Sequence, residues 1–199
     1  GDIRHLPAGA NARAVASAAQ AATLCPAALP VLARDFGAPA VAGKPNTSHA
    51  QGVIDAIAAG VSLVQNGDAR ALCTAPIHKA ALIDGAGFAY PGHTEYLAAL
   101  AGTDTVVMML ACDMLRVVPV TIHIALDQVG TGLTASLLTD TLLTTHAALR
   151  RDFGIKSPRI CVAGLNPHAG EGGKMGHEEI EMITPVLNAL RAQGMDITG

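Results

Sequence analysis

The sequence predicts an α/β protein, a three-layer α/β/α sandwich with helices on both faces of a mixed, mostly parallel sheet. Short apolar runs rich in Val, Ile and Met alternate with longer segments whose apolar residues recur every three or four positions. Buried strands alternating with amphipathic helices produce this pattern. Half of the 199 residues are hydrophobic and only 3% are aromatic, so the core is expected to consist of Ala, Leu, Val and Ile.

The first half of the chain is predicted to hold four helices and two short strands. Thr47 or Ser48 is a candidate N-cap for the second helix, and Lys79 begins the third, which Gly85 and Gly87 are predicted to stop. The predicted helices cover residues 11–24, 47–66, 79–84 and 93–100, and the predicted strands cover residues 29–32 and 69–73.

The second half is predicted to begin with two strands, at residues 105–111 and 115–124. The gap between them is too short for a parallel crossover, so they are predicted to pair as an antiparallel hairpin. A helix over 133–151, a strand over 159–164 and a last helix over 177–193 follow. Gly154 and Gly194 suit the C-caps of the two helices, and Pro185 is expected to kink the last one.

Composition excludes several classes of function. The formal net charge is -3 and the 13 Lys and Arg residues are scattered, which argues against binding to nucleic acid or to an anionic membrane surface. The four cysteines lie far apart in apolar runs, as expected for reduced core thiols of a cytoplasmic protein. The chain has no initiating Met, and we expect it to be a fragment of a longer protein.

The segment 164–173, Gly-Leu-Asn-Pro-His-Ala-Gly-Glu-Gly-Gly, is the strongest candidate for a functional loop, because it joins a buried strand to a helix. It contains His168. Two further histidines stand out: His123 inside an apolar run, and His93 between Gly92 and Thr94. Neutral imidazole is a common ligand for divalent metals, so His123 and His168 could share one ion. The alternative is that each imidazole only hydrogen-bonds a neighbouring group.

Other signals are weaker. Three acidic residues open the last helix and are interpreted as favourable to its dipole: Glu178, Glu179 and Glu181. The glycine fingerprint of dinucleotide-binding loops is absent, so the residues alone do not predict NAD binding. No catalytic residue and no cofactor contact is assigned.

Several motifs, in order and spacing, resemble the 4-hydroxythreonine-4-phosphate dehydrogenase family of vitamin B6 biosynthesis. They are Thr-Ala-Pro-Ile-His-Lys at 74–79, Pro-Gly-His-Thr-Glu at 91–95, Val-Val-Met-Met-Leu-Ala at 106–111 and the ten-residue segment at 164–173. The resemblance runs from about residue 43 to the end and is loose before it. It implies a partial N-terminal region at 1–42 and a central α/β/α domain at 43–199 that binds substrate and metal and forms the dimer.

The resemblance also implies an activity: NAD-dependent, metal-assisted oxidation of 4-hydroxy-L-threonine 4-phosphate, with decarboxylation to 3-amino-2-oxopropyl phosphate. By motif, His93 and Thr94 fall on the substrate-binding pair, and His123 and His168 fall on two of three metal-binding histidines. The implied fold is that of isocitrate and isopropylmalate dehydrogenases, and a homodimer completes each site. Zn suits imidazole ligands best, with Mg or Co as alternatives.

Two rival interpretations stay open at this point. Related dehydrogenases act on D-threonate or D-erythronate 4-phosphate, or on a dihydrodiol of terephthalate. Alternatively, the chain is a non-catalytic module that only dimerises. The family's N-terminal glycine-rich segment and its His-Asp-Gln-Gly segment, with the third metal histidine, are not in this sequence. We therefore expect these residues alone to have little or no dehydrogenase activity.

Overall fold

The computed structural model describes all 199 residues, and they form two compact units, Gly1–Val106 and Val107–Gly199. Both units combine helices with paired strands, so the predicted α/β class is confirmed. The strands form three pairs, two parallel and one antiparallel. The predicted functional division after residue 42 stays a prediction, since compactness does not report the role of a segment in a subunit.

Unit 1 (Gly1–Val106) begins with a parallel strand pair. β1 (Ala12–Val15) lies in register with β2 (Leu29–Leu32), so that Ala12 is opposite Leu29 and Val15 is opposite Leu32. Helix α1 (Ala18–Leu24) joins them, and the hydroxyl of Ser17 caps it by accepting from the backbone N–H of Gln20. The predicted helix over 11–24 is therefore wrong in its first half. Pairing with β2 overrides the helix propensity of this Ala-rich segment.

Three further helices build the core of unit 1: α2 (Ala50–Gln65), α3 (Lys79–Ala86) and α4 (His93–Ala101). Asn46 caps the 3-10 turn Thr47–His49 before α2, by accepting from the N–H of Ser48 at 3.0 Å. The predicted caps Thr47 and Ser48 instead lie inside that turn. The buried residues packed together are Ala50, Ile57, Leu82, Phe88 and Tyr96.

The predicted stop of α3 at Gly85 is wrong, because Gly85 lies inside the helix. A Cβ atom there would come within 2.1 Å of the carbonyl oxygen of Thr47, so only glycine permits this close approach. The helix ends one residue later, and the predicted stop at Gly87 is confirmed: this residue, at φ 64°, forms the left-handed C-cap. The predicted strand over 69–73 has no regular secondary structure.

Unit 2 (Val107–Gly199) begins with the predicted antiparallel hairpin, which is confirmed but shorter than expected. β3 (Leu110–Ala111) pairs with β4 (Arg116–Val117), and the N–H of Cys112 donates to the carbonyl of Leu115 at 2.9 Å to close the turn. Pro119 has no N–H to give to a strand ladder, which explains why β4 ends before residue 124.

The rest of unit 2 packs two helices against a parallel strand pair. After the short α5 (Val129–Gly132) comes α6 (Ala135–Arg151), then β5 (Arg159–Cys161), α7 (Thr184–Ala192) and β6 (Asp196–Thr198). Thr134 caps α6 by accepting from the N–H of Leu137 at 3.1 Å. The buried core residues are Leu138, Leu142, Ile183, Val186, Leu187, Leu190, Met195 and Ile197.

The last helix begins with a π-helical turn, Glu179–Ile183, that continues into α7. Pro185 lies in the first turn of α7. The predicted irregularity at this proline is therefore a widened turn just before it, where a missing N–H is tolerated. The predicted C-caps are off by one or two residues: α6 is capped by Asp152, two residues before Gly154, and α7 by Gln193, which directly precedes Gly194. Both glycines have positive φ angles, 67° and 89°.

Cys25, Cys73, Cys112 and Cys161 are free, as predicted, but all four are exposed, so their assignment to the core is wrong. The apolar runs that contain them are themselves exposed in part, for example at Leu72, Leu110 and Leu115. None of the helices combines the length and the hydrophobicity that crossing a bilayer requires.

Candidate functional site

The segment 164–173 (the glycine loop) follows β5 and contains a left-handed turn. Its last five residues all have positive φ angles: Ala169 48°, Gly170 70°, Glu171 42°, Gly172 67° and Gly173 92°. Glycine adopts such angles freely, but an L-residue is strained there by roughly 1–2 kcal/mol. Strained non-glycine residues cluster at functional sites, so the geometry supports the choice of this loop.

Asn166 holds the glycine loop together. Its side-chain Oδ1 accepts from the N–H of His168 at 2.9 Å, and its Nδ2 donates to the carbonyl of Met175 at 3.0 Å. Its own carbonyl accepts from the N–H of Ala169 at 2.8 Å. One carboxamide thus connects the two ends of the loop and fixes the backbone on which the His168 imidazole is carried.

The His168 ring is exposed and lies beside a carboxylate. Its Nδ1 is 2.9 Å from Oε1 of Glu171, which is itself exposed. When Nδ1 carries the proton and donates it to Glu171, Nε2 presents a lone pair to the outside. Metal-binding histidines generally donate their second ring N–H to a carboxylate or carbonyl in this way. His168 therefore fits the role of a metal ligand.

His123 is not inside a strand as predicted. It lies in a bend after β4, is exposed, and has a φ angle of 58°. The short β4 explains the difference, because the strand ends before His123 is reached. The chain brings no three His, Cys, Asp or Glu side chains together as a ready set of metal ligands. The sharing of one ion by His123 and His168 stays a prediction.

The predicted substrate pair, His93 and Thr94, occupies the first turn of α4 in unit 1. Gly92 precedes it without a side-chain cap, so the first N–H groups of the helix remain available. The Nε2 atom of His93 is buried and has no hydrogen-bond partner. A buried nitrogen of this kind is costly unless a ligand satisfies it. Tyr96 anchors the helix, donating from its hydroxyl to the carbonyl of Ile54 at 3.3 Å.

A large cavity in unit 2 is not part of the predicted site. It has a volume of about 870 Å³ and is lined mainly by apolar residues of the hairpin, α6 and β5, such as Met109, Leu142 and Ile160. Neither His123 nor His168 lines it.

Sequence reasoning missed the role of Glu179. It was interpreted as a helix-dipole charge, but it is buried and its Oε1 accepts from the N–H of Asn166 at 3.0 Å. That hydrogen bond lowers the pKa of Glu179, although burial acts in the opposite direction. The sequence carries only a partial signal: Glu179 precedes Ile183 and Leu187 at intervals of four, a spacing that is compatible with burial.

Comparison with known proteins identifies the family. The chain matches the family model described as pyridoxal phosphate biosynthetic protein PdxA over residues 3–199. It is 60% identical over 200 residues to 4-hydroxythreonine-4-phosphate dehydrogenase of Roseobacter denitrificans, and 52% identical over 199 residues to that of Ruegeria sp.. Both alignments cover 100% of this chain and 61% of the relative.

Matches to solved structures support the same family. The fold matches that of 4-hydroxythreonine-4-phosphate dehydrogenase from Klebsiella pneumoniae with a TM-score of 0.86 at 35% identity, covering 96% of this chain and 58% of that one. It also matches a terephthalate 1,2-cis-dihydrodiol dehydrogenase from Burkholderia xenovorans with a TM-score of 0.64 at 27% identity, covering 94% and 57% of the two chains. The chain belongs to the PdxA family, and it spans about 61% of the length of the curated relatives it matches.

Proposed function

We propose that this chain is the main part of a subunit that oxidises 4-hydroxy-L-threonine 4-phosphate with NAD in vitamin B6 biosynthesis, in the cytoplasm. The observation that carries the proposal is the 60% identity, over the whole chain, to a relative named for this substrate. Oxidation of the secondary alcohol gives a β-keto acid, which loses CO2 to form 3-amino-2-oxopropyl phosphate.

His93 and Thr94 are proposed to bind the substrate. Two features of unit 1 support this role: the buried, unpartnered Nε2 of His93 and the uncapped N-terminus of α4. Free N–H groups at a helix N-terminus favour anionic groups, and the substrate carries both a carboxylate and a phosphate. Glu95 lies in the same turn, so the substrate is expected to approach from the side of His93.

His168 and His123 are proposed to hold a divalent cation. Two imidazoles favour Zn or Co over Mg, which prefers oxygen ligands. When bound, NAD supplies the hydride acceptor, and the cation lowers the pKa of an alcohol and stabilises developing negative charge. Glu171 fixes the ring of His168 for this role through the contact at Nδ1. A catalytic Zn site normally has three protein ligands, so two histidines should bind the ion weakly.

A homodimer is proposed to complete each site. The exposed apolar residues of the hairpin in unit 2 support a surface that contacts the second subunit, since exposed apolar patches mark interaction sites. They are Leu110, Met114, Leu115 and Val117. No residue of this chain is assigned to NAD, and the 199 residues by themselves are proposed to have little or no activity.

The test is an NADH absorbance assay with substrate, NAD and Zn, on the 199-residue chain and on the full-length subunit. The full-length enzyme should turn over, and the 199-residue chain should not. In the full-length enzyme, His168→Ala should lose activity at least a hundredfold, whereas His177→Ala, an exposed histidine next to the glycine loop, should keep it. Normal turnover of His168→Ala would refute the proposed metal-binding role of His168. Normal turnover of the 199-residue chain would refute the proposal that it has little or no activity by itself.

A second candidate activity is oxidation of a terephthalate dihydrodiol, or of D-threonate or D-erythronate 4-phosphate. The structural match to the terephthalate enzyme supports the dihydrodiol as a candidate substrate. The larger TM-score and identity of the match to the Klebsiella pneumoniae enzyme favour the phosphorylated hydroxythreonine. Turnover of each compound by the full-length subunit would decide between them. Zn titration of the 199-residue chain separates a retained metal site from a module that only dimerises.

A further inference from the structure

Glu179 is a buried carboxylate with no part in the proposed chemistry. It belongs to the π-helical turn before α7, and only 8% of its surface is exposed. Burying an ionised carboxylate is costly unless hydrogen bonds compensate for lost water. Its position in the fold therefore needs a reason beyond the general preference of helix N-termini for acidic residues.

The carboxylate of Glu179 lies against the glycine loop. Oε1 accepts from the N–H of Asn166 at 3.0 Å, and the buried Oε2 has no hydrogen-bond partner. A Cβ atom at Gly164 would lie 3.4 Å from Oε1, and one at Gly170 would lie 3.1 Å from Oε2. Gly170 thus makes room for this side chain, whereas a Cβ at Gly164 would be in nearly ordinary contact with it.

A chain of contacts runs from Glu179 to the proposed metal ligand. Glu179 fixes the backbone N–H of Asn166, and the Asn166 side chain accepts from the N–H of His168 at 2.9 Å. Glu171 contacts the ring of His168 at Nδ1. The backbone and the ring of His168 are therefore held by separate partners, and Glu179 stands behind the backbone contact.

We propose that Glu179 is a positioning residue, which holds the glycine loop against the last helix so that His168 presents its imidazole to a divalent cation. The inference rests on the proposed metal-binding role of His168. It assigns to Glu179 an effect on loop order, which is measurable without metal, and an effect on metal affinity, which is measurable without turnover.

The experiment compares Glu179→Ala and Glu179→Gln in the 199-residue chain. Gln keeps an oxygen that can accept from Asn166, so it should rescue most of what Ala removes. Glu181→Ala is the matched control, because Glu181 belongs to the same turn but its side chain is 74% exposed. Amide hydrogen exchange by NMR reports loop order, and calorimetric titration with Zn reports affinity.

Glu179→Ala should accelerate exchange at the amides of Asn166 and His168 at least tenfold, while the core amides of Leu187 and Leu190 stay protected. Zn should bind several-fold more weakly; losing a direct hydrogen-bond partner of a metal ligand costs roughly 10–100-fold, and Glu179 acts one contact further from His168. Glu179→Gln and the Glu181→Ala control should resemble the unsubstituted chain in both measurements.

Unchanged loop exchange in Glu179→Ala would overturn the inference. An equal loss of protection in the core would also overturn it, because Glu179 would then support the fold in general. If the unsubstituted chain does not bind Zn, the proposed metal role of His123 and His168 in this chain fails, and the exchange measurement still decides whether Glu179 orders the loop. If Glu179→Ala does not fold, Glu179→Leu takes its place, because Leu fills a similar volume but cannot accept from the N–H of Asn166. Accelerated loop exchange in Glu179→Leu supports the inference, and unchanged exchange there refutes it.

Discussion

Replacing Gly170 with alanine tests the geometry of the glycine loop most directly. Gly170 is buried and has a φ angle of 70°, in the left-handed region. A Cβ atom there would lie 2.9 Å from the carbonyl oxygen of Gly176 and 3.1 Å from Oε2 of Glu179. The nearest atom belongs to the backbone, so it cannot move away as the end of a flexible side chain could.

The expected loss in the free energy of unfolding has two parts. Placing alanine in the left-handed region costs roughly 1–2 kcal/mol. Forcing a methyl group into a filled site typically costs a further ~1–3 kcal/mol. Gly170→Ala should therefore destabilise unit 2 by about 2–5 kcal/mol. Gly172→Ala is the matched control: its φ angle is 67°, but nothing lies within 4 Å of the added Cβ, so only the first part applies.

Urea unfolding followed by circular dichroism measures both variants, with the slope of the free energy against urea checked for constancy. The stiffening of the unfolded chain by alanine is the same in both variants and cancels in the comparison. The difference between the two losses isolates the contact with Gly176 and Glu179. Equal losses, or a larger loss for Gly172→Ala, would refute the described packing of the loop.

Two further predictions concern the core of unit 2 and the acid stability of unit 1. Leu187 is 0% exposed, so Leu187→Ala should lower the free energy of urea unfolding by about 3–5 kcal/mol. The control Ile180→Ala, at a residue that is 50% exposed, should lower it by less than about 1 kcal/mol. Similar losses in the two variants would contradict the assigned core. The Arg4 guanidinium and the N–H of Phe36 hold the pKa of Asp2 well below its ordinary value. A carboxyl with a lower pKa in the folded state stabilises the fold above its unfolded pKa, near 4, and loses that contribution as the pH falls towards the folded pKa. Unfolding midpoints measured at decreasing pH should therefore fall less steeply for Asp2→Asn, and parallel curves would contradict the contact.

Periodic segments were predictable from the sequence because burial on one side of a helix imposes spacing. The helices α2 and α6 were found in this way, whereas α4 was placed from the turn before it and the hairpin from the short gap between its strands. The strand β1 was missed because its residues are mostly Ala and Arg, which carry no alternation, and its pairing with β2 depends on residues far along the chain.

At the candidate site, the sequence identified the loop and His168 because glycines, proline and polar side chains stand out against apolar surroundings. It did not place His123, because a positive φ angle on a histidine has no local sequence signal. It also missed Glu179, since a charged residue on the apolar face of a helix has two opposite explanations. Only the position of Asn166 distinguishes a buried acceptor from a solvated charge.

The π-helical turn Glu179–Ile183 changes the rotational register of the side chains along the last helix. In a regular α-helix each residue rotates the direction of the side chain by about 100°, so an extra residue would turn every later side chain away from its partners. A widened turn absorbs that residue locally. Glu179, at the start of this turn, contacts the glycine loop, while Ile183 at its end and Leu187 and Leu190 beyond it lie in the core.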